Sequence, residues 1–285
     1  MSSKQQLQAR ATRGLQLDPN LVTRVLEGFV RDEIGKFGIN RAVVALSGGI
    51  DSALSCTLAV RALGSNSVLA VLMPYRTSNP ASRGDAETLV RQLNIASVLI
   101  DISPAVDGIT DQLHDKPSDL RRGNVMARTR MTALYDQSES FGGLVVGTSN
   151  KTELLLGYGT QHGDMASAVN PIGDLYKTQV RALSEALDIP EAILEKAPSA
   201  DLWEGQSDED ELGFDYELAD QMLYLLIDEQ FTDDDLVSDG YDSAIVNNVL
   251  HRIETSQFKR RLPVIAKLSH RTIDRDFRYP RDWGR

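Results

Sequence analysis

AVVALSGGIDSAL, residues 42–54, runs from an apolar segment through a Ser-Gly-Gly-x-Asp-Ser turn into a helical pattern. Ala42, Val43, Val44, Ala45 and Leu46 form a short β-prone run without polar alternation, which suits a strand buried on both faces. Gly48 and Gly49 permit a tight turn and close approach of a ligand to the backbone. The helix that follows directs its unpaired N–H groups and the positive end of its dipole at the turn. The junction therefore predicts an anion site.

The turn contains no Gly-Lys-Ser/Thr, so no lysine reaches the β- and γ-phosphates as in a Walker loop. Two hydroxyls, Ser47 and Ser52, and the Asp51 carboxylate suit a phosphate chain whose Mg²⁺ is partly held by protein. The hexapeptide resembles the pyrophosphate loop of the ATP pyrophosphatases, which split ATP to AMP and pyrophosphate. The plainer alternative is a strand-to-helix turn with serine caps.

Working outward, Asp18-Pro19 supplies a helix cap and first residue, and Leu21, Val25, Leu26 and Phe29 continue a helical stripe. SVLAVLM (67–73), SVLIDI (97–102) and GLVVGT (143–148) are further strand candidates. Helical patterns separate them: ETLVRQL, a stretch over about 120–135, and another over 176–187. Alternating strands and helices predict a doubly wound, mainly parallel α/β sheet with flanking helices, whose ligands sit at the carboxyl ends of the strands. From position 201 the carboxylate-rich DLWEGQSDEDELGFDYELAD has no strand signal and reads as a loop entering a helical C-terminal extension.

Composition bounds the function. The 285 residues suit one large domain with appendages, and the formal charge of −11 disfavours general binding of nucleic acid or anionic membranes. The polar start MSSKQQLQAR lacks the apolar segment of a signal peptide, and no run approaches a spanning helix, so a soluble cytoplasmic protein is expected. Cys56 is the single cysteine. It aligns with Ala53, Val60 and Leu63 at helical spacing and reads as a core thiol.

A metal-bridged triphosphate calls for a second carboxylate from another strand end. Glu153, just after Gly147-Thr148, fits, although Asn150 and Glu153 also match an ordinary capped helix. Arg121, Arg122, Arg128 and Arg130 in RRGNVMARTR suit phosphate binding or a solvated helix face. The GYGTQHG run at 157–163 superficially matches a dinucleotide fingerprint but lacks its strand-first context, and Asp174 lies in a turn. It reads instead as a loop over the site with Asp164 at its tip, where an aspartate also serves as a turn former. The histidines show no metal spacing, and there is no Gly-x-Ser-x-Gly elbow.

LSGGIDSAL, GNVMARTRM, VVGTSNKTELLLGYGTQHGD, NPIGDLYKTQV, PSADLW, GQSDEDELGFDY and FKRRLP follow one another in the order found in ammonia-dependent NAD synthetases, and the chain resembles that family over about residues 18–285. The resemblance implies an adenine nucleotide alpha-hydrolase-like, Rossmann-like fold, with residues 1–285 a single synthetase domain and no glutaminase domain. It implies that ATP adenylates the nicotinate carboxylate of deamido-NAD⁺, that pyrophosphate leaves, and that ammonia displaces AMP to give NAD⁺. By matching position, Ala45, Leu46, Ser47, Gly48, Gly49, Ile50, Asp51 and Ser52 form the ATP loop, and Thr148, Lys177 and Ser199 join it. Asp51 and Glu153 match Mg²⁺ ligands. Arg130, Gln161, Ala168, Phe258 and Lys259 match deamido-NAD⁺ positions, and Asp164 matches an acid that handles ammonia.

Gln161 replaces the family's usual lysine there, and Ala168 its usual aspartate. The resemblance also implies a homodimer, free ammonia as nitrogen donor, and an acidic segment closing over the site. The competing readings are another pyrophosphate-loop amidotransferase and a non-catalytic adenine-nucleotide sensor. A transfer-RNA thiolation enzyme would need a basic surface that this acidic chain lacks.

Overall fold

The structure is a computed structural model that describes residues 3–36, 38–203, 205–261, 263–268 and 270. The expected single domain's residues 1–2 and 271–285 lie outside the described residues. In chain order the first half comprises α1 (Ser3–Gly14), α2 (Pro19–Gly35), β1 (Ala42–Ala45), α3 (Ile50–Leu63), β2 (Val68–Leu72), α4 (Pro80–Leu93), β3 (Ala96–Leu99), α5 (Ser103–Thr110) and α6 (Asp119–Phe141). The second comprises β4 (Leu144–Val146), α7 (Lys151–Leu156), α8 (Lys177–Ala186), α9 (Glu191–Leu194), α10 (Asp208–Leu212), α11 (Tyr216–Leu223), α12 (Asp233–Ser238) and α13 (Ser243–Thr255).

The four strands pair in parallel in the order β3-β2-β1-β4. Side chains alternate across the pleat. Ala42 and Val44 enter the core beneath α2, α3 and α8, while Val43 and Val145 enter the one that holds Met126 and Leu134 of α6. Strands β1, β2 and β4 are covered on both faces, which is why they read as continuous apolar runs, whereas β3 at the sheet edge is mostly exposed. Chain order reverses between β1 and β4, the topological switch point that opens a crevice at the strand ends.

Local chemistry sets the boundaries. Asp18 caps α2 by accepting from Asn20 N at 2.9 Å, with Pro19 in the first turn. The SVLIDI run is strand only to Leu99, because the Asp101 side chain accepts from Ser103 N at 2.8 Å and starts α5. The helix expected over 120–135 runs on to Phe141 and stops at Gly142, φ +70°. A third apolar cluster joins Leu7 and Ala11 of α1 to α11 and α13, and forms the helical C-terminal body. Cys56 is fully buried, and burial pushes its thiol up to about 12, so it is an inert core group. No described helix is long and apolar enough to cross a membrane.

Candidate active site

The loop after β1 stands at the switch point. Gly48 has φ +82°, and a Cβ there would lie 2.0 Å from Ser82 O, so the turn packs against the start of α4 as only glycine can. Ser47 Oγ accepts from Gly49 N at 3.2 Å, and Ser52 Oγ donates to Gly49 O at 2.9 Å. No side chain caps α3 at Gly49, which leaves its first-turn amides facing the cleft lined by Ser47, Gly49 and Asp51.

Opposite the loop, α7 and α8 bring their first turns together. Lys177, the first residue of α8, donates to Asp51 Oδ2 at 2.5 Å and to Glu153 Oε1 at 3.1 Å. Asn150 donates from Nδ2 to Asp51 Oδ1 at 2.8 Å while it caps α7. Glu153 completes that capping box, as the capped-helix reading expects, and it also lines the cleft. Burial pushes the Lys177 ammonium down, but Asp51 and Glu153 outweigh it and hold the charge firmly. One ammonium does not offset two buried carboxylates, and burial pushes Glu153 up to about 8, opposed by Lys177 and reinforced by Asp51.

The cleft encloses about 1430 Å³. A pocket for one drug-sized ligand spans roughly 300–1,000 Å³, so there is room here for two nucleotides. Thr148 and Ser199 also line it. Ser199 belongs to a segment tied down by the buried Asp208, whose Oδ1 accepts from Ala200 N at 3.1 Å and Tyr158 OH at 2.9 Å, and whose Oδ2 accepts from Tyr216 OH at 3.1 Å. Asp208 and Glu211 of the acidic run therefore fold against the cleft and are not wholly solvated.

On the far wall lie Arg130, Asp164 and Lys259. Arg130 donates to Met73 O at 3.1 Å, and Asp164 Oδ1 accepts from Thr160 N at 2.9 Å. Desolvation by the surrounding cleft walls raises the Asp164 carboxyl, although the residue stays exposed to the cleft, against the pull of the Thr160 amide, Lys259 and Arg130. Lys259 Nζ donates to Gly157 O and Gly159 O, each at 2.8 Å, clamping the glycine-rich loop. That loop follows a helix, so it is no dinucleotide fingerprint, and Asp174 pairs with Lys151 on the surface.

Four matched positions lie outside the cleft lining: Gly48, which packs against Ser82 of α4, and Gln161, Ala168 and Phe258. Gln161 accepts from Arg128 through its backbone oxygen, Ala168 donates its N–H to Val145 O, and Phe258 is 60% exposed. The arginine run does not converge either. Arg121 pairs outward with Asp115, and of the four only Arg130 turns inward. Sequence reading missed Asn150 as a partner of Asp51, although its capping position was visible, and missed the roles of Asp208 and Asp220, for which no local signal exists.

A parallel sheet whose switch point carries a Ser-Gly-Gly-x-Asp-Ser loop facing a lysine-bridged carboxylate pair defines the pyrophosphate-loop class of ATP-cleaving α/β enzymes. Within that class, the sequence matches the NAD synthase family over residues 22–263, and the chain belongs to it. It is similar to the NH₃-dependent NAD⁺ synthetase of Trichlorobacter lovleyi, 55% identical over 271 residues covering 95% of this chain and 99% of that one. Its fold is similar to NMN synthetase from Francisella tularensis, with TM-score 0.79 and 32% identity over 89% of this chain and 100% of the other. It is also similar to the NH₃-dependent NAD synthetase of Campylobacter jejuni in complex with the nitrate ion, with TM-score 0.75 and 35% identity over 88% and 100% of the two chains.

Proposed function

We propose that this cleft performs the family's ligase reaction, amidation of deamido-NAD⁺ to NAD⁺ by ammonia with ATP cleaved to AMP and pyrophosphate, through the residues named here. The carrying observation is the convergence of Asp51, Glu153 and Lys177 on the open turn at the β1/β4 switch point. A carboxylate is a poor acyl donor, so activation comes first. Residues 45–52, with Thr148, Lys177 and Ser199, hold ATP. The first-turn amides of α3 and the Ser47 and Ser52 hydroxyls face the phosphates.

Asp51 and Glu153 offer hard anionic oxygens that share one ammonium, so a small cation fits the charge already accepted there. Bound with the triphosphate, Mg²⁺ would neutralise charge on the departing pyrophosphate. Arg130 and Lys259 hold deamido-NAD⁺ on the far wall. Asp164, with its raised carboxyl, takes a proton from ammonium to release the nucleophile.

The working unit is a homodimer. Leu21, Val25 and Phe29 form a stripe on α2 at 51%, 60% and 39% exposure, a continuous apolar face of the kind that marks an interface. The described residues act as one synthetase unit, the sheet core and helical body meeting at α7 and α8.

The test supplies ATP, Mg²⁺ and deamido-NAD⁺ with ammonium, glutamine or neither, and follows NAD⁺, AMP and pyrophosphate. Equimolar products with ammonium alone support the reading, and loss of turnover in Asp51→Asn supports its residues. ATP cleavage without NAD⁺ points to another acceptor, and similarity to an NMN synthetase makes nicotinate mononucleotide the first to try. Binding of ATP without cleavage would revive the sensor.

A further inference from the structure

Lys177 divides its ammonium between Asp51 and Glu153, so it is already committed to two carboxylates on this side of the turn. A departing pyrophosphate brings further negative charge to the same place. The loop itself carries no lysine of the Walker kind to meet it. A cation on the other side of the turn would meet that charge from a direction Lys177 does not cover.

Lys196 stands there. It follows α9 and lines the cleft together with Ser47, Gly49 and Ser82. Its Nζ donates to Ser82 Oγ at 2.6 Å, to Asp85 Oδ2 at 3.3 Å and to Gly48 O at 3.5 Å. The ammonium therefore rests on the phosphate loop and the first turns of α4 at once, where Gly48 and Ser82 are in closest contact. Its one charged partner among the described residues is held loosely. A strong ammonium–carboxylate bond measures about 2.7–2.9 Å, and the Asp85 contact is longer. Its other partners are neutral, so an arriving anion can take the place of Asp85.

We propose that Lys196 is the second phosphate-holding cation of this site and meets pyrophosphate as it departs, exchanging Asp85 for phosphate oxygens. The inference rests on residues 45–52 being the phosphate loop. In the step it serves, a nicotinate carboxylate oxygen forms a bond to the α-phosphorus. The bond from that phosphorus to the α–β bridging oxygen breaks, and its electron pair leaves with pyrophosphate. Lys196 keeps its proton throughout and donates hydrogen bonds to the charge that develops.

The test is the Lys196→Met variant of the full chain, assayed with ATP, Mg²⁺, deamido-NAD⁺ and ammonium. Loss of one such donor lowers kcat about 10²-fold, and KM for deamido-NAD⁺ holds. The inhibition constant of added pyrophosphate rises about tenfold or more, while that of AMP does not move. Lys196→Arg restores part of both losses. A lysine that only braces the fold would lower Tm and leave pyrophosphate inhibition at the wild-type value, and that result overturns the proposal.

If Lys196→Met does not fold, Asp85→Asn decides. It frees the ammonium and tightens pyrophosphate inhibition, and unchanged inhibition overturns the proposal. Asp51→Asn separates the two levels. If it abolishes ATP cleavage while Lys196→Met keeps wild-type kinetics, the loop stands and Lys196 falls; if both keep cleavage, the loop reading falls with it.

Discussion

Lys177 Nζ and Asp51 Oδ2 lie 2.5 Å apart, joining residues 126 positions apart in sequence. Asp51 sits in the first turn of α3 and Lys177 in that of α8, so the pair links the turn after β1 to the opposite wall. Asp51 has a second donor in Asn150, whereas Glu153 shares the same lysine and carries the remaining charge imbalance.

Replacing Lys177 by Met leaves two carboxylates facing each other in a largely buried site. Removing one partner of a buried pair costs about 3–5 kcal/mol. The variant therefore unfolds at lower denaturant and loses turnover. Because a cation fits between the carboxylates, Mg²⁺ recovers part of the lost stability. Denaturation with and without Mg²⁺ checks this, and a Lys177→Met midpoint indifferent to the metal would count against it.

Asp220 gives a pH signature. It is fully buried and accepts from Thr152 Oγ1 at 2.5 Å and from Thr178 N and Oγ1, each at 2.7 Å, bracing α7 against α8. Burial raises its carboxyl from 3.8 to about 6, against the pull of those hydrogen bonds. The folded state then binds the extra proton between these values. Stability from this group is greatest below 3.8 and falls as pH rises through 6. The stability advantage of wild type over Asp220→Asn should therefore shrink between pH 4 and 7, on the order of 2–3 kcal/mol. An advantage that grows with pH would reverse the assignment.

These carboxylates also show where sequence reading stops. Strands β1, β2 and β4 were legible because burial on both faces makes them continuous apolar runs, and the phosphate loop was legible because its turn chemistry is local. Asp208 and Asp220 were not. A buried acid needs donors, and theirs come from Tyr158, Thr152 and Thr178, far along the chain. Helix α1 escaped notice because it buries only Leu7 and Ala11, too few positions for a stripe. The last turn and a half of α6, DQSESF, is largely polar and left no periodic signal beyond Tyr135.

Asp208 makes a kinetic prediction. It fixes Ala200 N and two tyrosine hydroxyls, and so sets the course of the segment that carries Ser199. Asparagine keeps one acceptor and turns an amide donor toward groups that already donate. Stability should fall by about 1–3 kcal/mol, and KM for ATP should rise several-fold more than KM for deamido-NAD⁺. Equal changes in both would make Asp208 a general brace.

The apolar stripe on α2 predicts assembly. Leu21 and Val25 are half or more exposed, one helical turn apart. Light scattering of the wild type should give a dimer, and Leu21→Glu with Val25→Glu should give a monomer. A double variant that stays dimeric would move the interface elsewhere, and a monomeric wild type would dismiss it.

Gly48→Ala tests the phosphate loop without touching its polar groups. The residue has φ +82°, and an added Cβ would lie 2.0 Å from Ser82 O and 2.8 Å from Ser82 C, both backbone atoms of α4. Left-handed strain of about 1–2 kcal/mol adds to overpacking of about 1–3 kcal/mol. Either the turn or α4 must shift, and both line the cleft. The variant should lose about 3 kcal/mol of stability and most of its turnover. Gly84→Ala is the control on the same helix, since an added Cβ there meets nothing within 4 Å. It should leave activity intact and stabilise α4 by about 0.5–1 kcal/mol. If the two alanines behave alike, contact between the loop and α4 does not shape the site.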